Sequence, residues 1–194
     1  MSKPASATPI GVARYPRLTE PDTKFDDNGV YSTKLILSEE DYQAYADVLN
    51  PWVEQEYKRF CTEAGKDSLR RNENTPLRIN DDGEHELYAK QVAVKQTSKG
   101  QLTFSVTLFD SQGKKINNPP NIGSGSKLRL MVEPVAWFVP AIGFGYTLRL
   151  KAAQVIDLVE FTGGGGGYSF DAHEGGYVSE NLDESLPDNA EVPF

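Results

Sequence analysis

Apolar and polar residues alternate along two stretches of the chain, and this pattern predicts strands. From Gln101 to Phe109 the period of two indicates a half-buried strand. Its apolar members, which are expected to face the core, are Leu102, Phe104, Val106 and Leu108. From Lys127 to Glu133 the residues Leu128, Leu130 and Val132 fall on one face in the same way.

Further runs rich in β-branched and aromatic residues extend the predicted sheet. These predicted strands are a short one near Ile10 to Tyr15, then Val30 to Leu37, Glu86 to Gln96, and Gly145 to Phe161. Turn signals separate several of them, namely Asp27-Asn28-Gly29, Lys99-Gly100 and Asp110-Ser111-Gln112-Gly113.

One segment has helical spacing and predicts an insertion over about residues 38–62. Ser38 resembles an N-cap, and Asp41 stands three residues later, at the second position of a capping box. Pro51 is expected to kink or break the helix near Asn50, and Gly65 is a plausible stop. The aromatic residues of this segment, including Trp52 and Tyr57, are expected to pack in the core, and Lys66 to Ile79 is expected to form a loop.

Five or six strands with one inserted helix predict a small barrel of the all-β-dominated class. An OB-fold, which is a five-stranded Greek-key barrel, is one such architecture. Periodicity alone does not separate it from an SH3-like barrel or a sandwich.

The charge of the chain is unevenly distributed and predicts a boundary after residue 162. The formal net charge is -8, but the segment Gly163 to Phe194 holds seven acidic residues and no lysine or arginine. Five consecutive glycines, Gly163 to Gly167, form its start, and its composition is typical of a disordered tail. We therefore expect a folded domain over residues 1–162 and a Gly-rich hinge with an acidic tail over residues 163–194.

Catalytic and metal-binding chemistry is poorly represented, so we expect neither an enzyme nor a cofactor. Cys61 is the only cysteine, and His85 and His173 are the only histidines, which leaves no zinc spacing. Ser124 and Lys127 fit a Ser-x-x-Lys pattern without its companion motifs, and a hydrolase using them predicts a buried Lys127. No signal peptide and no membrane-length apolar run is visible, which favours a soluble intracellular protein.

A basic stripe with interleaved aromatic residues points to nucleic acid. The stretch from Lys90 to Met131 contains seven basic residues and one acidic residue, Asp110. Such a stripe can neutralise phosphates while aromatic rings stack on bases. The alternative is a solvated sheet face. Trp137 and Phe138 are expected in a loop or hairpin between Pro134 and Pro140. The predicted DNA-binding residues are Tyr88, Lys90, Lys95, Lys99, Lys114, Lys115, Lys127, Arg129, Trp137, Phe138 and Tyr146.

In order and spacing, the motifs of the chain resemble the single-stranded-DNA-binding proteins of short-tailed bacteriophages. The motifs are Gly29-Val30-Tyr31, the insertion Ser38 to Phe60, Asp110 to Lys115, Gly123 to Leu128, the glycine hinge, and Phe194 at the end of the acidic tail. The resemblance implies an OB-fold, strand binding tolerant of sequence, and groove bases at Lys114, Lys115 and Lys127. It also implies that the tail competes with DNA and that Phe194 anchors it to partners.

These observations predict a non-enzymatic protein that coats single-stranded DNA in phage replication, recombination or repair, in the cytoplasm of the infected bacterium. The expected partners are single-stranded DNA and, through the tail, the phage DNA polymerase and helicase/primase. No membrane is expected, and the choice between monomer and homodimer stays open. The alternative function is an acidic protein-interaction module, or a DNA mimic, that binds no nucleic acid.

Overall fold

The computed structural model of the chain describes residue 3 and residues 5–161. Ten strands and one helix follow each other in this part of the chain. In chain order they are β1 (Ser6–Ala7), β2 (Gly11–Asp22), β3 (Val30–Leu37), α1 (Glu39–Glu63), β4 (Leu77–Ile79), β5 (His85–Val92), β6 (Val94–Thr97), β7 (Gly100–Thr103), β8 (Thr107–Phe109), β9 (Lys127–Val139) and β10 (Gly143–Asp157). The acidic tail and Phe194 lie outside the described residues.

Five of the strands form a closed circuit. β9 pairs with β2, β2 with β3, β3 with β5, β5 with β10, and β10 pairs again with β9. The β5–β10 pairing is parallel, and the other four are antiparallel. The predicted fold class, β-dominated with one inserted helix, is confirmed, and the circuit is consistent with an OB-type barrel.

Alternate residues of each strand fill the interior of the barrel. Leu35 on β3, Leu87 on β5 and Leu150 on β10 are fully buried. The alternation of buried residues on β10 shifts at a bulge between Leu150 and Ala152, which leaves Ala152 partly exposed and places Ala153 in the core. Because side chains alternate along a strand, the residues between these buried positions point to the outer face of the barrel.

The inserted helix α1 begins and ends where its caps predict. The Ser38 side chain accepts a hydrogen bond from the Asp41 N–H at 3.1 Å, and Gly65, at φ +64°, follows the Ala64 C-cap. Pro51 does not break the helix, which runs continuously through it. The one helix in the described part of the chain is too polar to span a membrane.

The helix packs its aromatic face on the barrel, as expected for Trp52 and Tyr57. Trp52 meets Tyr146 edge to face, with ring centroids 6.3 Å apart, and Tyr57 meets Phe144 in the same way at 5.3 Å. These contacts hold α1 against β10. Phe144 and Tyr146 share the buried face of β10 with Leu148, so α1 covers the interior of the barrel. The outward-facing Ser32 on β3 and Lys90 on β5 keep solvent exposure.

Two of the predicted long strands are each divided in the structure. The predicted strand Glu86 to Gln96 is interrupted at Ala93, and the predicted strand Gln101 to Phe109 is interrupted over residues 104–106. The pieces β6 and β7 pair with each other as a separate two-stranded sheet. The prediction that Phe104 and Leu102 lie in the core is therefore wrong, since they are 38% and 50% exposed. Only Val106 and Leu108 of that set are buried.

Trp137 and Phe138 lie at the end of strand β9 in the hairpin that β9 forms with β10, so of the two predicted settings, a loop or a hairpin, the hairpin is the one observed. β9 continues through Pro134 to Val139, paired with β10 from Gly143 onward. Pro134 is tolerated because its nitrogen lies on the side of β9 away from β10, where the Pro134 carbonyl accepts from the Lys3 N–H at 3.3 Å, so the β9–β10 ladder loses no donor. The extension gives Trp137 and Phe138 opposite orientations.

Candidate nucleic-acid interface

The outer face of β3 and β5 carries polar and aromatic side chains in register. Ser32 lies opposite Lys90, and Lys34 lies opposite Tyr88. Their inward neighbours, Thr33 and Ala89 among them, are buried in the barrel. Two adjacent strands therefore present cations beside an aromatic ring on one surface.

β9 and β10 continue this surface with a second aromatic ring. Trp137 is the cross-strand partner of Gly145, and its indole lies so close that a Cβ on Gly145 would overlap the six-membered ring. A larger residue at position 145 would have to displace the ring. The close approach fixes the indole against the sheet beside Thr147.

β2 adds a third aromatic ring at the other side of β3. Arg14 lies opposite Lys34, and Tyr15 follows at φ 49° with its side chain 74% exposed. A non-glycine residue at positive φ is uncommon, and here the Tyr15 N–H donates to Ser124 Oγ at 3.0 Å. The unusual backbone turns the tyrosine outward where the pairing of β2 with β3 shifts register.

Three adjoining cavities of about 300, 260 and 320 Å³ cover this surface. Arg78 lines all three, Lys34 and Tyr15 line two, and Tyr88 lines two. We call the combined depression the Tyr88 groove. It is lined by Arg14, Tyr15, Ser32, Lys34, Asn74, Pro76, Arg78, Glu86, Tyr88, Lys90, Trp137, Ile142, Tyr146 and Thr147, among others.

Most cations of the groove are held by carboxylates. Lys34 Nζ lies 2.9 Å from Glu86 Oε2, and Arg78 Nη2 lies 2.7 Å from Glu86 Oε1. Arg14 Nη2 lies 2.6 Å from Glu84 Oε1. These partners order side chains that would otherwise be mobile.

Four of the predicted DNA-binding residues meet in the Tyr88 groove. They are Tyr88, Lys90, Trp137 and Tyr146. Tyr146 is only 8% exposed and packs on Trp52, and burial raises the pKa of its hydroxyl. Tyr146 therefore forms part of the floor, while Tyr88 and Trp137 offer more ring surface.

Three other predicted residues lie away from the groove. Phe138 points to the opposite side of β9 from Trp137 and packs near Phe60, with ring centroids 6.4 Å apart. Lys95 and Lys99 are exposed on the hairpin formed by β6 and β7. None of the three lines the cavities of the Tyr88 groove.

Of the remaining predicted residues, Arg129 lies at a second depression of about 500 Å³, and Lys114, Lys115 and Lys127 are near its lining residues in sequence. Arg129 lines it together with Met131, Lys151 and Gly113, and we call it the Arg129 groove. Lys114 and Lys115 follow Gly113 directly, and Lys127 stands two residues before Arg129; all are exposed. Arg129 is eight residues from Trp137 along β9, about 26 Å at 3.3 Å per residue.

Sequence reasoning missed four contributors to the groove. They are Arg14, Tyr15, Lys34 and Arg78. Arg14 and Tyr15 come from β2, Lys34 from β3 and Arg78 from β4, so no local cluster of charge marks the set. The one available signal was the alternation of Arg14, Tyr15 and Arg17 in the N-terminal segment, which interleaves bases with an aromatic residue.

The exposure of Lys127 contradicts the hypothesis of a hydrolase that uses Ser124 and Lys127. Its requirement was a buried Lys127, but the Lys127 side chain is 55% exposed and lies 3.9 Å from Asp157. Ser124 is exposed as well. Among the residues that the structure describes, no cluster of three or more His, Cys, Asp or Glu side chains is arranged to hold a metal ion.

A β-barrel whose outer sheet face combines aromatic rings with ordered cations is typical of the class of oligonucleotide-binding barrels. Residues 10–158 match the family model described as single-stranded DNA-binding protein, bacteriophage T7. The chain belongs to this family, which confirms the resemblance seen in the sequence.

Individual relatives and structures agree with this assignment. The single-stranded DNA-binding protein of Enterobacteria phage T3 is 30% identical over 91% of this chain and 86% of its own length, and that of Escherichia phage T7 is 28% identical over 92% and 87%. The crystal structure of gp2.5, the single-stranded DNA binding protein of bacteriophage T7, superposes with a TM-score of 0.73 at 26% identity, covering 92% of this chain and all of that one. The protein from bacteriophage Enc34 in complex with single-stranded DNA shares the fold, with a TM-score of 0.58 at 13% identity over 81% of this chain and 88% of that one.

Proposed function

We propose that the chain is a non-enzymatic protein that binds single-stranded DNA along the Tyr88 groove. The observation that carries the proposal is the alignment of Tyr15, Tyr88 and Trp137 across one open sheet face beside Lys34 and Arg78. The family supports it, because relatives that cover most of the chain are named for this ligand.

Base stacking on the aromatic rings supplies an interaction that every base can make. Each stacked base contributes about 1–3 kcal/mol with little regard to sequence. The cations neutralise phosphates and release counterions, which makes the affinity fall with salt. A groove of this composition suits a protein that coats a strand of any sequence in replication, recombination or repair.

The basic residues outside the groove contribute in a supporting role. Lys95, Lys99, Lys114, Lys115, Lys127 and Arg129 raise the local potential and attract the strand over distances up to a Debye length of about 8–10 Å. We propose that they add affinity at low salt, and that Phe138 acts through packing.

The segment beyond residue 162 is proposed to regulate binding. Its seven acids and absence of bases make it a tethered competitor for the cations of residues 1–162. Phe194 is proposed to anchor the tail to the phage DNA polymerase and helicase/primase in the cytoplasm of the infected host. Self-association as a homodimer is tested by sedimentation of the full chain.

The experiment that tests this function is a fluorescence-anisotropy titration of a labelled oligo-dT with the full chain at several salt concentrations. Binding that weakens steeply as salt increases is the expected result. Absence of binding at low salt would contradict it and favour the acidic interaction module.

A further inference from the structure

Glu86 is a buried carboxylate in the middle of a basic groove. It stands on the outer face of β5, where β3 lies on one side and β4 on the other, yet it is only 2% exposed. A buried charge persists only when partners satisfy it. The partners of Glu86 are themselves cations of the Tyr88 groove.

The carboxylate holds two basic side chains at once. Its Oε2 lies 2.9 Å from Lys34 Nζ, and its Oε1 accepts from both Nε and Nη2 of Arg78, at 2.9 and 2.7 Å. Asn74 Oδ1 accepts a third bond from Arg78 Nη1 at 3.0 Å. Of the five guanidinium N–H groups, two thus stay available for a further acceptor, and the side chain remains 39% exposed.

We propose that Glu86 is a positioning residue for single-stranded DNA. It fixes Lys34 and Arg78 side by side on the groove floor, so that both bind backbone phosphates without first being ordered. This inference rests on the proposed function. It gives a favourable role in DNA binding to an acidic residue whose negative charge, taken alone, would repel DNA.

A neighbouring acidic loop makes DNA affinity depend on where the Lys34 and Arg78 side chains lie, and not only on the net charge of the groove. Asp81 and Asp82 line the same cavity as Lys34 and Arg78 and are exposed. Without the Glu86 carboxylate the two cations repel each other, and these acids offer them other partners. Loss of Glu86 would therefore draw the cations out of the path of the strand.

The test compares Glu86→Gln with Asp82→Asn in the full chain, because both remove one negative charge from the same cavity. The readout is the anisotropy of a labelled oligo-dT across salt concentrations. Glu86→Gln is expected to weaken binding about tenfold, since two side chains must then be immobilised on binding. It should also reduce the slope of log affinity against log salt by about 0.7 for each phosphate that the variant no longer neutralises. Asp82→Asn is expected to bind more tightly than the original chain, because it removes a charge that repels phosphate and releases no cation of the groove.

The opposite sign would overturn the proposal. If Glu86→Gln folds with a cooperative melt and binds more tightly with a steeper salt slope, Glu86 is a counter-charge and not a positioning residue. If the unmodified chain itself fails to bind oligo-dT, the proposed function fails instead, which keeps the two results apart.

Arg78→Lys tests the same idea if Glu86→Gln does not fold. Arg78 is partly exposed, and lysine keeps the charge but loses the planar fork that meets Glu86. Weaker binding with a lower salt slope supports positioning. An affinity and slope equal to those of the original chain contradict it.

Discussion

Gly145 lies directly beneath the indole ring of Trp137, its cross-strand partner in the β9–β10 pair. The ring occupies the space in which any other residue would place its Cβ. This close approach sets the height of the indole above the sheet and thereby the depth of the Tyr88 groove.

Gly145→Ala is expected to lift Trp137 from the sheet. The added methyl group overlaps the six-membered ring, and overpacking of this kind costs about 1–3 kcal/mol of folding stability. The tryptophan emission should change, and oligo-dT affinity should fall about fivefold or more as the stacking surface is displaced. Unchanged emission and affinity would show that the indole does not depend on Gly145.

The two basic surfaces are expected to contribute unequally. Lys90→Gln, in the Tyr88 groove, should lower the salt slope by about 0.7, the value for one fewer phosphate neutralised on a single strand. Lys114→Gln, beside the Arg129 groove, removes the same charge and should change the slope less. Equal decreases in both variants would mean that the strand runs over both surfaces.

Truncation of the acidic segment is expected to tighten DNA binding. A chain ending at Thr162 loses seven acids and no lysine or arginine, so the tethered competitor is removed. The gain in oligo-dT affinity should be largest at low salt and should shrink as salt screens the competition. Equal affinity of both chains at low salt would argue against autoinhibition.

Acid stability is expected to depend on Glu54. Its two carboxylate oxygens meet Arg71 at 2.6 and 2.7 Å, and hydrogen bonding from Arg71 lowers the pKa of Glu54 below its usual 4.5. A lowered pKa in the folded state stabilises the protein at neutral pH. That contribution is lost as pH falls through the lowered value.

Urea unfolding of Glu54→Gln against pH checks this expectation. The variant should be less stable than the original chain at pH 7, and the difference should shrink as pH falls below 4.5. Asp67→Asn is a matched control, because Asp67 is exposed in the loop after α1. A difference that does not vary with pH would locate the effect in packing of Glu54.

Local signals in the sequence are sufficient to predict most of the fold. Strand β3 and the capped start of α1 lie at their predicted positions, because a turn at Gly29 and a cap at Ser38 are local features. The prediction places Phe104 wrongly in the core because the apolar alternation from Leu102 to Leu108 continues across residues 104–106, where the strand is interrupted. Periodicity shows which residues share a face and does not show where that face leaves the barrel.

The sequence predicts only some residues of the Tyr88 groove, because the groove forms where the register of paired strands brings together residues that are distant in sequence. Tyr88, Lys90 and Trp137 are found from aromatic and basic residues close in sequence. Lys34 and Arg78 are not, since they meet only through Glu86, across three strands. Conversely, dense local charge points to Lys114 and Arg129, which the fold places around another groove.

The most direct test of DNA binding in the Tyr88 groove is the affinity of the double variant Tyr88→Ala/Trp137→Ala for oligo-dT, measured by anisotropy beside Phe25→Ala. Phe25 is 88% exposed and does not line the groove, so it controls for removal of an exposed aromatic ring. The double variant should bind at least about thirtyfold more weakly, given about 1–3 kcal/mol per stacked base, while Phe25→Ala binds like the original chain. Equal affinity of the double variant and the original chain would contradict strand binding in this groove.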